Sequence, residues 1–253
     1  MDKPLSERVA IVTGASNGIG KGIAEAYAAA GARVVLVARS ADKLGALAAT
    51  IVAGGGAALA APCDVTREAD VLALFARVKA EFGRVDVVVN NAGVASGTAI
   101  DELSLAAWND VLAINLTSVF LMSREAVKVM KAQTPQGGRI INMGSVSAKT
   151  PRPDSIAYTA TKHAIQGITH QLTMDGRSYG VVASVIHPGA TLSSFTARRG
   201  RTEAGPGKAP DDYVMSAADV ARVAVLMATL PPEVNLYEAT ILPNQMRSFI
   251  GRG

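Results

Sequence analysis

Three side chains able to bind or move a proton fall within one short stretch, SVSAKTPRPDSIAYTATK, which runs from Ser145 to Lys162. Tyr158 and Lys162 are four residues apart, a spacing that puts both side chains on one face of a helix, one turn from each other. A free phenol has a pKa of about 10, so at neutral pH it is a weak acid and a poor base. An ammonium a few ångströms away favours the phenolate and is expected to pull the Tyr158 pKa down. A hydroxyl such as that of Ser145, aimed at the same point, can hold the oxygen of a carbonyl or an alcohol. Together the three groups make a device for moving one proton near neutral pH. Alone, the Tyr-x-x-x-Lys spacing equally describes an ordinary helix face, so its meaning depends on what surrounds it.

The surrounding elements read as alternating strands and helices. Strands are expected over 8–13, 33–38, 57–63, 85–89, 138–143, 181–186 and 238–242. Helices are expected over 19–30, 40–53, 66–82, 104–130, 155–179 and 216–230. RVVLVA at 33–38 is an uninterrupted apolar run, which marks burial on both faces of a sheet. Ser40, Thr66 and Ser216 stand where helix N-caps belong, and Gly31 and Gly83 where helices stop. Strict alternation predicts an α/β fold with a doubly wound parallel sheet of about seven strands, flanked by helices on both faces, in a single domain over 1–253. Residues 190–215 show little periodicity and read as a substrate loop or lid, with Phe195, Arg198 and Arg199 as candidate pocket residues.

Composition narrows the function classes. The chain has 253 residues, 49% hydrophobic and 18% charged, enough apolar material for a sizeable core. The net charge of +4 is spread along the chain. Its densest basic cluster, Arg198, Arg199 and Arg201, lacks interleaved aromatics, so no nucleic-acid partner is expected. Cys63 is the only cysteine, which excludes an intramolecular disulfide and a cysteine-based metal site. His163, His170 and His187 lack metal-ligand spacing, so no metal is expected. No apolar signal core precedes the first strand, and no unbroken run reaches the ~18 apolar residues of a membrane span. The default expectation is a cytoplasmic protein with no membrane partner.

A cofactor end is legible near the N-terminus. TGASNGIG, residues 13–20, follows the first strand and opens the first helix. Gly14, Gly18 and Gly20 let the backbone turn tightly against a pyrophosphate, and the helix N-terminus behind them favours its negative charge. The spacing G-x-x-x-G-x-G differs from the common dinucleotide fingerprint. The second strand ends Val37-Ala38-Arg39-Ser40, with no acid to accept from a ribose 2′-hydroxyl. Arg39 can pair with a 2′-phosphate and Ser40 can donate to it, which favours NADP(H) over NAD(H).

With these motifs in order along nearly the whole chain, the sequence closely resembles the short-chain dehydrogenase/reductase family. TGASNGIG looks like its cofactor turn, bringing in Ser16, Asn17 and Ile19 beside the glycines. Asp64 and Val65 look like its adenine-contacting pair, and Asn90-Asn91-Ala92-Gly93 like its NNAG motif. Asn115, Ser145, Tyr158 and Lys162 match its catalytic tetrad, and Pro188, Gly189 and Thr191 match its P-G-x-T segment at the nicotinamide. The resemblance implies a Rossmann-type fold and gives each group a role. Lys162 would also bind the nicotinamide ribose. Tyr158 would exchange a proton with the substrate oxygen, Ser145 would hold that oxygen, and Asn115 would hold a relay water. It implies a homo-oligomer as well, a tetramer or dimer.

Two departures stand out. The segment before Pro188, GVVASVIH, lacks the family's usual Arg and Asn, and the C-terminus lacks its common V-D-G-G. Neither removes a tetrad member. The expected activity is therefore an NADP(H)-dependent oxidoreductase interconverting a secondary alcohol and a ketone or aldehyde, on a small-molecule substrate that the sequence does not name. The competing expectation is an NADP(H)-binding sensor or interaction protein without turnover, whose sign would be a broken tetrad.

Overall fold

The computed structural model describes residues 3–192, 202–203, 213–244 and 246. Phe195, Arg198 and Arg199, with most of the expected 190–215 loop, lie outside the described residues. Seven strands form one parallel sheet: β1 Val9–Thr13, β2 Arg33–Ala38, β3 Ala57–Pro62, β4 Val87–Asn90, β5 Gly138–Met143, β6 Val181–Pro188 and β9 Glu238–Ile241. Their order is β3-β2-β1-β4-β5-β6-β9, every neighbouring pair parallel. Two further short strands, β7 Thr202–Glu203 and β8 Tyr213–Val214, pair with each other, and Thr191 bridges to Met215.

Among the described residues, seven α-helices cross over between strands: α1 Gly18–Ala29, α2 Ala41–Ala53, α3 Glu68–Phe82, α4 Leu105–Leu112, α5 Ser118–Ala132, α6 Ile156–Gly176 and α7 Ala217–Thr229. Alternate strand residues feed two cores. Ala10, Val12, Val34 and Leu36 pack with Ile23, Tyr27, Leu44 and Met227, on the face covered by α1, α2 and α7. Val9, Ile11, Val35 and Val37 pack with Val71, Phe75, Val78, Met122 and Met130, under α3 and α5. Burial on both sides explains why these strands read as continuous apolar runs. The sheet order reverses between β1 and β4, so their C-terminal ends open a crevice, the usual ligand position in such folds.

The expected elements and the observed ones differ where local chemistry intervenes. Thr66 does not cap α3. Arg67 occupies the N-cap position, and Thr66 instead bonds to Asp64. Ser40 sits at the N-cap of α2 but its side chain makes no capping bond, whereas Ser216 forms a full capping box with Asp219. The single helix expected over 104–130 is interrupted by a π-turn at Ala113–Thr117, which contains Asn115. π-turns insert an extra residue that hydropathy periodicity does not report. The whole stretch Leu105–Ala132 is also long and apolar enough, by length and composition alone, to cross a membrane. In this fold it packs against the sheet and α6, and it buries Asn115, Ser123 and Glu125 among protein atoms.

Candidate active site

The glycine turn is built as a cradle. Gly14 and Gly18 have positive φ of 66° and 54°, which favours glycine. A Cβ on Gly20 would lie 2.4 Å from both Asn91 Nδ2 and Gly14 O, so only glycine lets α1 approach the ends of β1 and β4 this closely. Asn91 anchors the turn by donating from Nδ2 to Thr13 O at 2.9 Å. Thr13 Oγ1 in turn accepts from Asn91 N and Ala92 N at 2.9 and 3.0 Å. Asn17 stands at the N-cap of α1 with no side-chain capping bond, leaving the first turn to backbone N–H groups. A cavity of about 720 Å³ opens above them.

Its walls gather Gly14, Ser16, Asn17, Gly18, Ile19, Arg39, Ser40, Asp64, Val65, Asn91, Ala92 and Gly93, all expected from the sequence. Gly20 lies beneath the turn and acts through packing. Arg39 and Ser40 are both exposed at the end of β2. Asp64 accepts from the Thr66 hydroxyl at 2.7 Å. That bond, with Arg39 and Arg67 nearby, holds its carboxyl below the ordinary carboxylate range although partial burial opposes the shift. Size, glycine cradle and cationic rim fit a dinucleotide: the α1 N-terminus would hold its phosphates, and Arg39 and Ser40 the far ribose.

Ser145, Tyr158 and Lys162 meet at the C-terminal end of β5. Ser145 follows that strand in extended backbone (φ −172°, ψ 154°), and its Oγ accepts from Ser147 N at 3.1 Å. Helix α6 begins at Ile156 with Ser155 as its N-cap residue, so Tyr158 and Lys162 fall on its first turns, facing β5. The Ser145 hydroxyl lies close enough to the Tyr158 phenol to favour its ionised form. Lys162 is 5% exposed, donates from Nζ to Met143 O at 2.7 Å, and lies 5.4 Å from the centre of the Tyr158 ring.

The electrostatics correct one expectation. The Tyr158 phenol is raised, not lowered, from its ordinary value: burial dominates, while the nearby Ser145 hydroxyl and Arg152 pull it back only partly. Lys162, 5.4 Å from the ring centre, does not offset that burial. It is buried as well, and desolvation brings its own pKa down to about 8.

Asn115 is 1% exposed and spans the gap between the π-turn and the loop after β4. Its Oδ1 accepts from Val94 N at 2.8 Å, and its Nδ2 donates to Val94 O at 2.9 Å and to Thr161 Oγ1 at 3.3 Å. Both ends of the amide are thus committed to protein, so the side chain clips Gly93–Val94 against α6. Pro188 ends β6 and Gly189 follows it, with Gly189 N donating to Ile241 O at 2.8 Å, and Thr191 Oγ1 turns back to Gly189 O at 3.1 Å. Ser145, Tyr158, Lys162, Pro188, Gly189 and Thr191 lie outside the lining of the 720 Å³ cavity.

Several site residues were not foreseen. Lys43 joins Arg39 on the cavity rim, and Asp110, Ala113 and Ile114 close the opposite wall. Lys43 was findable, because it lies on the first turn of α2, three residues beyond Ser40. The α4 wall was not, since nothing in its sequence shows that a π-turn brings it to β4. Among the described residues no cluster of three or more His, Cys, Asp or Glu could hold a metal.

Comparisons with known proteins agree with this geometry. The family model for short chain dehydrogenases matches residues 8–204. A 3beta-hydroxysteroid dehydrogenase of Mediterraneibacter gnavus is 37% identical over 195 residues, 77% of this chain and 70% of that protein. A metagenomic short-chain oxidoreductase solved with NADP is 34% identical, with a TM-score of 0.82 over 95% of this chain and 99% of that one. A 3-ketoacyl-(acyl-carrier-protein) reductase of Brucella melitensis solved with NADH is 26% identical, with a TM-score of 0.84 over 96% of this chain and 100% of that one. The glycine cradle, the Ser145–Tyr158–Lys162 cluster and a family match over most of its length place this chain in the short-chain dehydrogenase/reductase family of oxidoreductases.

Proposed function

We propose that the protein catalyses the NADP(H)-dependent interconversion of a secondary alcohol and a ketone or aldehyde, with Tyr158 as the acid/base. The observation that carries this reading is the gathering of Ser145 and Tyr158 at the end of β5, with Lys162 one helical turn away on α6 and bonded to Met143 O. A bound nicotinamide supplies the hydride chemistry. The residues supply placement and the proton. Ser145 holds the substrate oxygen. Tyr158, its pKa raised by burial, keeps its proton through neutrality and is therefore suited to donate it as a carbonyl becomes an alcohol. Lys162, with a pKa of about 8, stays mostly cationic at pH 7 and has donors to spare beyond Met143 O for a ribose. Asn115 fixes the wall of the site, and the relay water is part of the proposal.

The preference for NADP(H) rests on Arg39, Ser40 and Lys43 at the rim, with Ala38 where an acid would select NAD(H). The structural relatives include one solved with NADP and one with NADH, so the rim carries the choice. The named relatives act on different molecules, a hydroxysteroid and a ketoacyl carrier, and we assign neither to this chain. A single working domain, a cytoplasmic setting and a homo-oligomer belong to the same proposal. Exposed Leu105 and Phe120 on the α4–α5 face support the last of these.

The test is NADPH deuterated at the transferable position, incubated with ketones, keto acids, sugars and steroids. Deuterium appearing on the carbinol carbon of a product supports the enzyme. Tight NADPH binding with no transfer to any of them would favour the sensor reading instead.

A further inference from the structure

His187 is fully buried at the end of β6 and has no part in the scheme above. It lies where the β5–β6 ladder runs out. Gly144 N donates to Ile186 O at 2.7 Å. The next parallel rung needs an N–H from residue 188, and proline has none. Beyond it the His187 ring meets the Ser145 peptide, with Nδ1 3.2 Å from Ser145 N and 2.9 Å from Ser145 O. Ser145 O also accepts from Ala148 N at 2.9 Å, and a carbonyl oxygen has room for two donors. Nδ1 therefore bonds the Ser145 peptide in either tautomer, accepting from its N–H or donating to its carbonyl. On its far side Nε2 faces Gln166 at 3.4 Å and Glu238 at 3.9 Å, and Glu238 pairs with Lys149, four residues after Ser145. Gly144 makes room for the ring, since a Cβ there would sit 2.5 Å from Nδ1. Burial keeps the imidazole below its usual pKa despite the pull of the Ser145 backbone and Glu238, with Lys149 and Lys162 adding to the lowering, so the ring is neutral at pH 7.

We propose that His187 is a positioning residue: its Nδ1 holds the Ser145 peptide and thereby aims the Ser145 hydroxyl at Tyr158. The inference rests on the reading that Ser145 and Tyr158 act on one substrate oxygen. Leucine at 187 keeps the volume but loses the nitrogen. Asparagine can place an amide atom where Nδ1 lies, and glutamine places it nearer Nε2. His187→Leu should lower kcat by about a hundredfold, the cost of a modest misplacement at a reacting group. KM for the ketone and the affinity for NADPH should stay close to wild type. His187→Asn should recover most of kcat, and His187→Gln should not. In protein labelled with 15N-serine, the Ser145 amide resonance should move in His187→Leu and return towards its wild-type position in His187→Asn.

Wild-type kcat in His187→Leu overturns the proposal, as do equal losses in the Asn and Gln variants. If His187→Leu does not fold, the Asn/Gln order decides alone. If the wild type reduces no ketone, the proposed function fails, and the Ser145 amide resonance still decides the role of His187: unmoved in the Gln variant, it refutes that role.

Discussion

The two ends of the site are built on opposite plans. The cofactor end is a wide cavity whose polar groups are backbone N–H groups and exposed side chains, Arg39, Ser40 and Lys43 among them. The proton end is small and closed: Ser145, Lys162 and His187 are each less than a tenth exposed, and each side chain bonds to main chain. Exposed contacts to a phosphate act nearly independently and are screened by solvent. Buried groups in one hydrogen-bonded cluster act as a unit, so removing one disturbs the others. Binding and chemistry should therefore separate under mutation.

The largest effect is expected at Tyr158. Tyr158→Phe removes the proton donor and should cut kcat by about a thousandfold, within the usual range for general acid–base groups. Affinity for NADPH, read by fluorescence titration, should hardly change. A parallel loss of binding would mean that the two ends are one unit.

The pH dependence comes next. Reduction needs Tyr158 protonated and Lys162 charged, so kcat/KM should be flat through neutrality and fall above about pH 8 as Lys162 loses its proton. Alcohol oxidation needs the phenolate, which the raised phenol pKa makes scarce. Its kcat/KM should climb by about tenfold per pH unit below pH 8 and level off above it, where loss of the ammonium offsets gain of the phenolate. An oxidation rate that falls between pH 7 and 8 would contradict this assignment of acid and base.

Effects at the rim should be smaller and confined to one cofactor. Arg39→Ala removes a charged partner of a phosphate, a bond of about 1.5–3 kcal/mol, and should weaken NADPH by roughly ten- to a hundredfold while NADH changes little. Equal losses for both cofactors would overturn the phosphate assignment. Lys43→Ala should show the same selectivity at about threefold, as expected for a single exposed charge. An effect on kcat from either variant would couple the two ends.

Much of this contrast was legible in the sequence, and unevenly so. Strand β2 was located to the residue, because a short, Val-rich unbroken apolar run fits a strand buried on both faces better than a helix. The glycine cradle was legible because backbone geometry restricts Gly14, Gly18 and Gly20 to one residue type. The proton end was legible in its members but not in its electrostatics. Spacing put Lys162 beside Tyr158, yet burial depends on β5, β6 and α6 closing together, and burial reversed the direction of the Tyr158 shift. Asn115 was found, but the π-turn that aims it left no periodic trace. His187 was set aside for lacking metal-ligand spacing. Its partner is a peptide group 42 residues away, a contact that only the β5–β6 pairing reveals.

The central claim is that the Tyr158 hydroxyl stands over the reactive carbon of a bound nicotinamide, with Ser145 and Lys162 on either side. A crystal structure of the NADP⁺ complex tests it most directly. The account predicts Tyr158 Oη facing C4 of the ring across a gap wide enough for one carbonyl group, Lys162 Nζ on the ribose hydroxyls, and Arg39 on the 2′-phosphate. A nicotinamide bound elsewhere, or a Tyr158 hydroxyl turned away with no space for a carbonyl between, would contradict it.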